Sequence, residues 1–183
     1  MTSARTEKHQ RLFFALWPDP ALAQRFFHLA REQHEACQGR VLAPEQIHLT
    51  LRYAGPVAPD TARCLGEAAD RIALPPFTLR FDRLGYWPRP KVVWCMPSEV
   101  PDALTDLARS LEAACVACGL EGENRAFAPH LTLLRKARRA PPDSEMPGID
   151  WPVRDFALVR SDTRPDGAVY SVLQRWALQP PET

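Results

Sequence analysis

The order of hydrophobic and polar residues predicts a chain that alternates between strands and helices. Apolar or alternating runs that are bounded by proline or glycine are typical of strands. They predict seven strands, over residues 11–17, 47–53, 77–84, 92–94, 130–135, 153–162 and 168–178. Apolar residues that recur every three or four positions are typical of amphipathic helices. They predict three helices, over residues 20–37, 61–72 and 102–118.

Short polar signals mark where several of these elements begin and end. Asp19-Pro20 is expected to begin the first helix, because a capping side chain precedes proline at the first helical position. Asp60 is expected to cap the second helix, and Gly119 to end the third. Asp166-Gly167 predicts a tight turn between the last two strands, and the polar stretch 136–149 is predicted to be a loop.

The predicted elements follow the order strand, helix, strand, helix, strand, strand, helix and three strands. No change of composition marks a linker, so residues 1–183 are expected to form a single domain with a flexible tail over residues 1–10. This order predicts an α+β fold with mostly antiparallel strands. We expect a bilobal molecule with pseudo-twofold related halves, in which two sheets face a central cleft and the helices lie outside.

One tetrapeptide occurs twice, as His48-Leu49-Thr50-Leu51 and as His130-Leu131-Thr132-Leu133. Side chains of a strand point alternately to its two faces. Each copy therefore directs its histidine and its threonine to one face and its two leucines to the other. The leucines can be buried in a core while the polar pair lines a surface. Two matched lobes can then bring both polar pairs together across the cleft.

The composition is that of an ordinary globular protein and limits the classes of partner. Of the 183 residues, 45% are hydrophobic and 25% are charged, and the net charge is +1. A strongly basic nucleic-acid-binding protein is excluded by this balance, so an anion site must depend on local clusters. The first residues do not resemble a signal peptide, and no apolar run is of membrane-spanning length. We therefore expect a cytoplasmic monomer without membrane contact.

The five cysteines are irregularly spaced, and we expect free thiols in a reducing compartment. Cys115 and Cys118 form a single Cys-x-x-Cys pair. A structural zinc site would need a second pair, so we interpret these two cysteines as small residues of a helix.

Two histidines and two threonines are suited to the cleavage of a phosphodiester. One imidazole can take a proton from an attacking oxygen while the other gives a proton to the leaving oxygen. The hydroxyls of Thr50 and Thr132 can donate hydrogen bonds to the non-bridging phosphate oxygens, where charge develops. A metal site is a weaker interpretation, because neither motif contains a neighbouring Cys, Asp or Glu ligand. A Ser-His-Asp pattern and a glycine-rich phosphate loop are absent from the sequence, and no cofactor or metal is predicted.

Cationic residues cluster near both motifs. Arg52 has the same parity as the first motif's histidine and threonine, so it is expected on their face of the strand. Arg135 ends the second motif strand, and Lys136 and Arg138-Arg139 follow it. Arg138 and Arg139 are equally consistent with a solvated loop. These positive charges favour an anionic substrate.

Phe13 lies on the face of the first predicted strand that also holds the small Ala15. A core position is the simpler interpretation of this residue. If that face lines the cleft, the Phe13 ring could instead stack on a nucleobase, with Arg135 on the other side of the base.

Longer segments around the motifs carry a resemblance to a known family. They are Arg11-Leu-Phe-Phe-Ala-Leu16, His48-Leu-Thr-Leu-Arg-Tyr-Ala-Gly55, Lys91-Val-Val-Trp94, Pro129-His-Leu-Thr-Leu-Leu-Arg135 and the ending Tyr170 to Leu178 with Trp176. With its two His-x-Thr-x motifs, the chain resembles the two-histidine phosphoesterase superfamily. It looks most like the bacterial and archaeal RNA 2′,3′-cyclic phosphodiesterases, which were first named 2′-5′ RNA ligases.

This resemblance implies a bilobal fold with a water-filled cleft, two antiparallel sheets and no metal. It also implies hydrolysis of 2′,3′-cyclic phosphates, on RNA ends or on small cyclic nucleotides, to 2′-phosphomonoesters. His48 would protonate the departing 3′ oxygen and His130 would activate water. Thr50 and Thr132 would hold the phosphate oxygens, and Arg135 would contact phosphate or base. Arg52 has no counterpart in the family pattern, so its role depends on its position alone.

Two alternatives remain open at this point. A non-catalytic module could bind RNA ends or nucleotides in the same cleft. A catalytic protein could also form 2′-5′ linkages reversibly or act on another cyclic phosphodiester. Intact histidines and threonines in both motifs favour an enzyme.

Overall fold

The computed structural model describes residues 9–142, 146–165 and 167–180. The helices within these residues are α1 (Pro20–Cys37), α2 (Pro59–Ala69) and α3 (Asp102–Ala117), and a 3-10 turn covers Pro44–Gln46. The strands within these ranges are β1 (Gln10–Leu16), β2 (Arg40–Val41), β3 (Leu49–Val57), β4 (Phe77–Trp87), β5 (Val92–Pro97), β6 (Leu131–Arg135), β7 (Ile149–Val153), β8 (Asp155–Arg164) and β9 (Gly167–Ala177).

The predicted helix ends are partly confirmed. The backbone N–H of Leu22 donates to Asp19 Oδ1 at 2.8 Å, so Asp19 caps α1 as expected. Gly119 follows α3 with φ +86°, a left-handed conformation that glycine adopts at little cost. The prediction for Asp60 is wrong, because α2 begins at Pro59, two residues before the predicted start, and Asp60 lies in its first turn.

Two strands were not predicted from the sequence. β2 has only two residues, too few for a periodic signal. β7 lies across the end of the stretch predicted as a loop, and its alternating residues Ile149, Trp151 and Val153 are buried. Gln10 belongs to β1 rather than to the predicted tail, while residues 1–8 and Asp166 of the predicted turn lie outside the described residues.

All pairings between these strands are antiparallel, and the predicted α+β class is confirmed. The strands form one sheet in the order β7-β4-β5-β6-β3-β1-β8-β9, with β2 paired to β6. The prediction of two separate sheets is wrong in this respect, since β3 and β6 connect the halves. They do so through one register pair, Leu49 with Leu131. The pseudo-twofold relation of the halves stays a prediction.

The helices pack on the halves in a crossed arrangement. Phe26 of α1, which follows β1, packs against Phe81 and Trp151 of the other half, with ring centroids 5.2 and 6.4 Å apart. On the half that contains β1, Glu112 of α3, which follows β5 of the other half, pairs with Arg52 of β3. The helices α1 and α3 therefore each pack on the half that does not contain the preceding strand, whereas α2 stays on the half of β3, where Asp70 at its end accepts from Trp176 Nε1–H at 2.6 Å.

The prediction of free thiols is wrong for two cysteines. Cys64 of α2 and Cys118 at the end of α3 form a disulfide, with Cα atoms 5.8 Å apart. The two helices lie side by side on the same half, so their cysteines meet although 54 residues separate them in sequence. Cys115 is a buried residue of α3 with a free thiol, as expected.

Within the described ranges, none of the helices combines the length and the apolar character that crossing a membrane requires.

Candidate active site

The two repeated motifs meet where β3 and β6 pair. Leu49 lies opposite Leu131 in an antiparallel register, and both leucines are fully buried. Extending this single pair by one residue in each direction would set His48 beside Thr132 and Thr50 beside His130. Directly opposed residues of such a pair have Cβ atoms about 5 Å apart, and diagonal neighbours lie about 7–8 Å apart. On this extension the four polar side chains share one face, and the charge of His130 does act on the pKa of His48.

Both histidines are oriented by the same local hydrogen bond. His48 Nδ1 donates to the carbonyl oxygen of Gln46 at 2.8 Å, and His130 Nδ1 donates to that of Ala128 at 2.8 Å. A carbonyl oxygen can only accept, so the neutral rings carry their proton on Nδ1. Each Nε2 is left with a lone pair and can take up a proton from a reacting group.

Aromatic rings surround His48. The Trp17 ring stacks on the imidazole with an interplanar angle of 4° and a centroid distance of 5.0 Å. Phe13 and Tyr170 also lie with ring centroids 5.0 Å from His48. Packing on several sides fixes the ring and displaces water from it.

The imidazoles are held in their neutral form by this environment. Burial lowers the pKa of His48 from 6.5 to about 4, although the hydrogen bond to the Gln46 carbonyl opposes the change. The positive charge of Arg135, and that of His130 when it is protonated, lower this pKa further. Burial and the charge of Arg135 also lower the pKa of His130, against the opposing hydrogen bond to Ala128. Both rings are therefore ready to accept protons near neutral pH when the site is empty.

A cavity of about 350 Å³ opens beside the first motif and lies between the two halves. Its described lining residues are Arg11, Phe13, Arg40, Leu42, Gln46, His48, Thr50, Tyr53, Arg135, Ser161, Thr163, Ala168 and Tyr170. His130 and Thr132 do not line the cavity. Their motif is joined to the first motif by the pairing of Leu131 with Leu49. The volume and the polar lining suit a nucleotide-sized anion.

Arg135 lies where the sequence analysis expected it. The side chain is exposed, lines the cavity and acts electrostatically on both motif histidines. Lys136 and the Arg138-Arg139 pair follow it as exposed residues that are absent from the cavity wall. Backbone N–H groups of Arg138 and Arg139 donate to the carbonyl of Cys37, which anchors this segment to the end of α1.

The predicted position of Arg52 is wrong. A bulge in β3 opposes Thr50 to Ala15 but Arg52 to Phe14, so the strand gains one residue between them. Arg52 is thereby turned to the core side, where its side chain is only 9% exposed and its guanidinium pairs with Glu112 of α3. It also donates to the carbonyl of Glu121 at 2.6 Å. Arg52 is therefore a buried structural cation that does not line the cavity.

Phe13 lines the cavity but offers little surface for stacking. Its side chain is 4% exposed and packs against His48 and Tyr170. The same bulge that buries Arg52 brings Tyr53 opposite Phe13, and Tyr53 lines the cavity with 47% of its surface exposed. Tyr53 is thus the exposed aromatic ring of this wall.

Several residues of the site were not predicted from the sequence. Arg11 could have been found, because it shares the parity of Phe13 in β1. Arg40 lies in the two-residue β2, for which the sequence carries no signal. Trp17 follows the end of β1 and Tyr170 lies in β9, and the folded chain brings both rings against His48.

In the part of the chain that the structure describes, no three His, Cys, Asp or Glu side chains are grouped so that they could hold a metal ion.

Comparison with known proteins identifies relatives along nearly the whole chain. Residues 18–165 match the profile of the 2′-5′ RNA ligase superfamily. The RNA 2′,3′-cyclic phosphodiesterase of Escherichia coli is 36% identical over 174 residues, covering 92% of this chain and 97% of that protein. The protein of the same name from Thermus thermophilus is 36% identical over 151 residues, covering 74% of each chain.

Solved structures show the same fold. The apo crystal structure of E. coli LigT superposes with a TM-score of 0.84 at 33% identity, covering 94% of this chain and 99% of that one. The structure of E. coli LigT complexed with 3′-AMP gives a TM-score of 0.82 at 33% identity, with coverage of 93% and 99%.

Proposed function

Because the chain belongs to the 2′-5′ RNA ligase superfamily, we propose that it is an RNA 2′,3′-cyclic phosphodiesterase. In this proposal it hydrolyses the cyclic phosphate at an RNA end, or on a small cyclic nucleotide, to a 2′-phosphomonoester. Relatives that match nearly its whole length carry that name. The observation that carries the proposal is the antiparallel meeting of the two motifs at Leu49 and Leu131, beside a cavity lined by cations.

The proposed reaction uses one imidazole at each side of the phosphorus. His130 Nε2 takes a proton from water as the water oxygen forms a bond to phosphorus. The bond from phosphorus to the 3′ oxygen breaks, and His48 Nε2 supplies the proton that converts this oxygen to a hydroxyl. A 2′-phosphate remains on the ribose. No metal ion takes part in these steps.

The remaining groups of the site stabilise the charge of the transition state. Thr50 and Thr132 each follow a motif histidine by two residues, a spacing that directs both side chains to one face of an extended chain, and in this proposal their hydroxyls donate to the two non-bridging oxygens. Arg135 contributes a positive charge within the electrostatic reach of both imidazoles. A 5′-hydroxyl in place of water would form a 2′-5′ linkage by the same proton transfers, which makes ligation the second candidate activity.

An oligonucleotide that ends in a 2′,3′-cyclic phosphate tests the proposal directly. Incubated with the protein in excess EDTA, it is expected to give a 2′-monoester, which phosphorus NMR distinguishes from the 3′-isomer. A second reaction that contains an RNA with a 5′-hydroxyl measures ligation. Binding without any product would instead identify a non-catalytic module, and loss of activity in EDTA would contradict a mechanism without metal.

The low imidazole pKa values predict an acidic pH optimum for kcat/KM. The base must be neutral and the acid must be protonated, so activity falls on both sides of a bell. Because burial lowers both pKa values, we expect the maximum below pH 6.5, the ordinary imidazole value. In the pH profile of kcat, the acidic and the basic limb should both lie at higher pH than in the profile of kcat/KM, since the bound phosphate anion stabilises the protonated imidazoles.

Arg135 offers a variant for this experiment. Replacing it with glutamine removes a positive charge that lowers both pKa values, so both limbs should move to higher pH. Arg138→Gln is the matched control, because that exposed residue does not line the cavity. A kcat/KM maximum above pH 7 in the unmodified protein would contradict the effect of burial.

A further inference from the structure

We propose that Arg11 and Arg40 form a second phosphate subsite in the cavity. It would bind the phosphate on the 5′ side of the nucleotide that carries the cyclic phosphate. This inference rests on the proposed function, and it narrows the substrate from any nucleoside 2′,3′-cyclic phosphate to those with a further phosphate on the 5′ side.

The first support is the charge of the cavity wall. Arg11, Arg40 and Arg135 are exposed there, and none of the described lining residues is an aspartate or a glutamate. The three arginines also form no salt bridge with the described residues, in contrast to six other arginines of the chain (Arg52, Arg63, Arg80, Arg109, Arg160 and Arg175). Three guanidinium groups around one cavity carry more positive charge than a single phosphodiester requires.

The second support is the position of Arg11 relative to Arg135 and His48. Arg135 is the arginine whose charge acts on both motif histidines. Arg11 lies two residues before Phe13 on the same face of β1, and the Phe13 ring contacts His48. Two residues of a strand span about 7 Å, so Arg11 is displaced along β1 by about one nucleotide step from the residue that contacts His48.

Arg40 completes the subsite from the other half of the sheet. It pairs with Arg135 in the register of β2 and β6, and its side chain extends towards the first residue of β9. Arg40 Nη1 lies 3.3 Å from the place that a Cβ would occupy at Gly167, so the glycine leaves room for the guanidinium.

The wall around this subsite is coupled to the catalytic centre. The Gln46 side chain donates to the carbonyl of Ala168 in β9 at 3.1 Å. The backbone carbonyl of the same residue accepts the Nδ1–H of His48. Ser161 and Thr163 of β8 add hydroxyl donors to the same wall. A phosphate bound between these elements would contact the structure that orients the imidazole.

A kinetic comparison of three substrates tests the proposal. They are uridine 2′,3′-cyclic phosphate, the same compound with a 5′-phosphate, and a dinucleotide that ends in a cyclic phosphate. We expect the 5′-phosphate or the phosphodiester to raise kcat/KM by about tenfold to a hundredfold, since charge-assisted hydrogen bonds are strong. This advantage should shrink as salt concentration rises.

Arginine variants locate the effect. In Arg11→Gln and in Arg40→Gln, the ratio of kcat/KM with and without the 5′-phosphate should fall towards one. The matched control is Arg109→Gln, an exposed arginine of α3 that pairs with Asp106, and it should keep the ratio of the unmodified protein. A ratio near one in the unmodified protein would overturn the subsite while leaving hydrolysis intact.

Binding measurements separate the subsite from catalysis. Calorimetry with uridine 2′-monophosphate and uridine 2′,5′-bisphosphate compares the expected products without turnover. The bisphosphate should bind at least about tenfold more tightly, and each arginine variant should remove the difference. Equal affinities would exclude the subsite even if no substrate were hydrolysed, whereas an absence of hydrolysis with unequal affinities would count against the proposed function alone.

Discussion

Alanine in place of either motif histidine is expected to lower kcat/KM for a nucleoside 2′,3′-cyclic phosphate by about a hundredfold to ten-thousandfold. General acid or base catalysis contributes rate factors of about that size. The double variant should lose little more than each single variant, because the two proton transfers belong to one reaction step. Steady-state kinetics with a defined cyclic phosphate measures both effects.

His34→Ala is the matched control for these variants. His34 is an exposed residue near the end of α1 and does not line the cavity. Its replacement should leave kcat/KM unchanged. Full activity in His130→Ala would contradict the proposed mechanism.

The leaving group can assign the acid. In a cyclic phosphate whose 3′ oxygen is replaced by sulfur, the leaving group is a thiolate, which needs little protonation. If His48 is the acid, His48→Ala should hydrolyse this substrate at close to the unmodified rate, while His130→Ala stays slow. The reverse pattern would exchange the two roles.

The second large effect concerns stability. Arg52→Met is expected to lower the free energy of unfolding by about 2–3 kcal/mol, a fall in Tm of about 4–12 °C. The variant leaves Glu112 without its cation and the carbonyl of Glu121 without its donor. Glu112 is 31% exposed, and water therefore moderates the cost of the lost pair. Urea denaturation followed by circular dichroism measures the change.

Two further variants define the origin of this effect. Arg52→Met combined with Glu112→Met removes the uncompensated charge and should recover part of the lost stability. Arg109→Gln breaks an exposed pair on the same helix and should change stability by less than about 1 kcal/mol. A loss below about 1 kcal/mol in Arg52→Met would contradict a structural role for the buried pair.

Local periodicity was sufficient to locate the helices and most strands. Asp19 and Gly119 mark helix ends by side-chain chemistry and backbone conformation, which act within a few residues. The motif strands were equally accessible, because Leu49 and Leu131 alternate with polar neighbours over a simple period of two.

Features that depend on tertiary contacts were not accessible in this way. The alternation of side chains along β3 predicted Arg52 on the face of the motif histidine. One extra residue in β3 reverses which face each side chain after Thr50 points to, so that Tyr53 is exposed instead. Arg40 lies on a strand of two residues, whose existence depends on pairing with β6. The cysteine pair that joins α2 to α3 required knowledge of which helices are neighbours.

The meeting of β3 and β6 at one residue pair has a consequence for catalytic precision. Because only one residue pair joins the two motifs, few hydrogen bonds between β3 and β6 oppose a shift of one strand along the other. A slip by one position would turn a histidine and a threonine inward and bring two leucines into water. Returning a buried leucine to water costs about 2 kcal/mol. Burial of the motif leucines on one face of the strands thus fixes the position of the motif histidines and threonines on the other face.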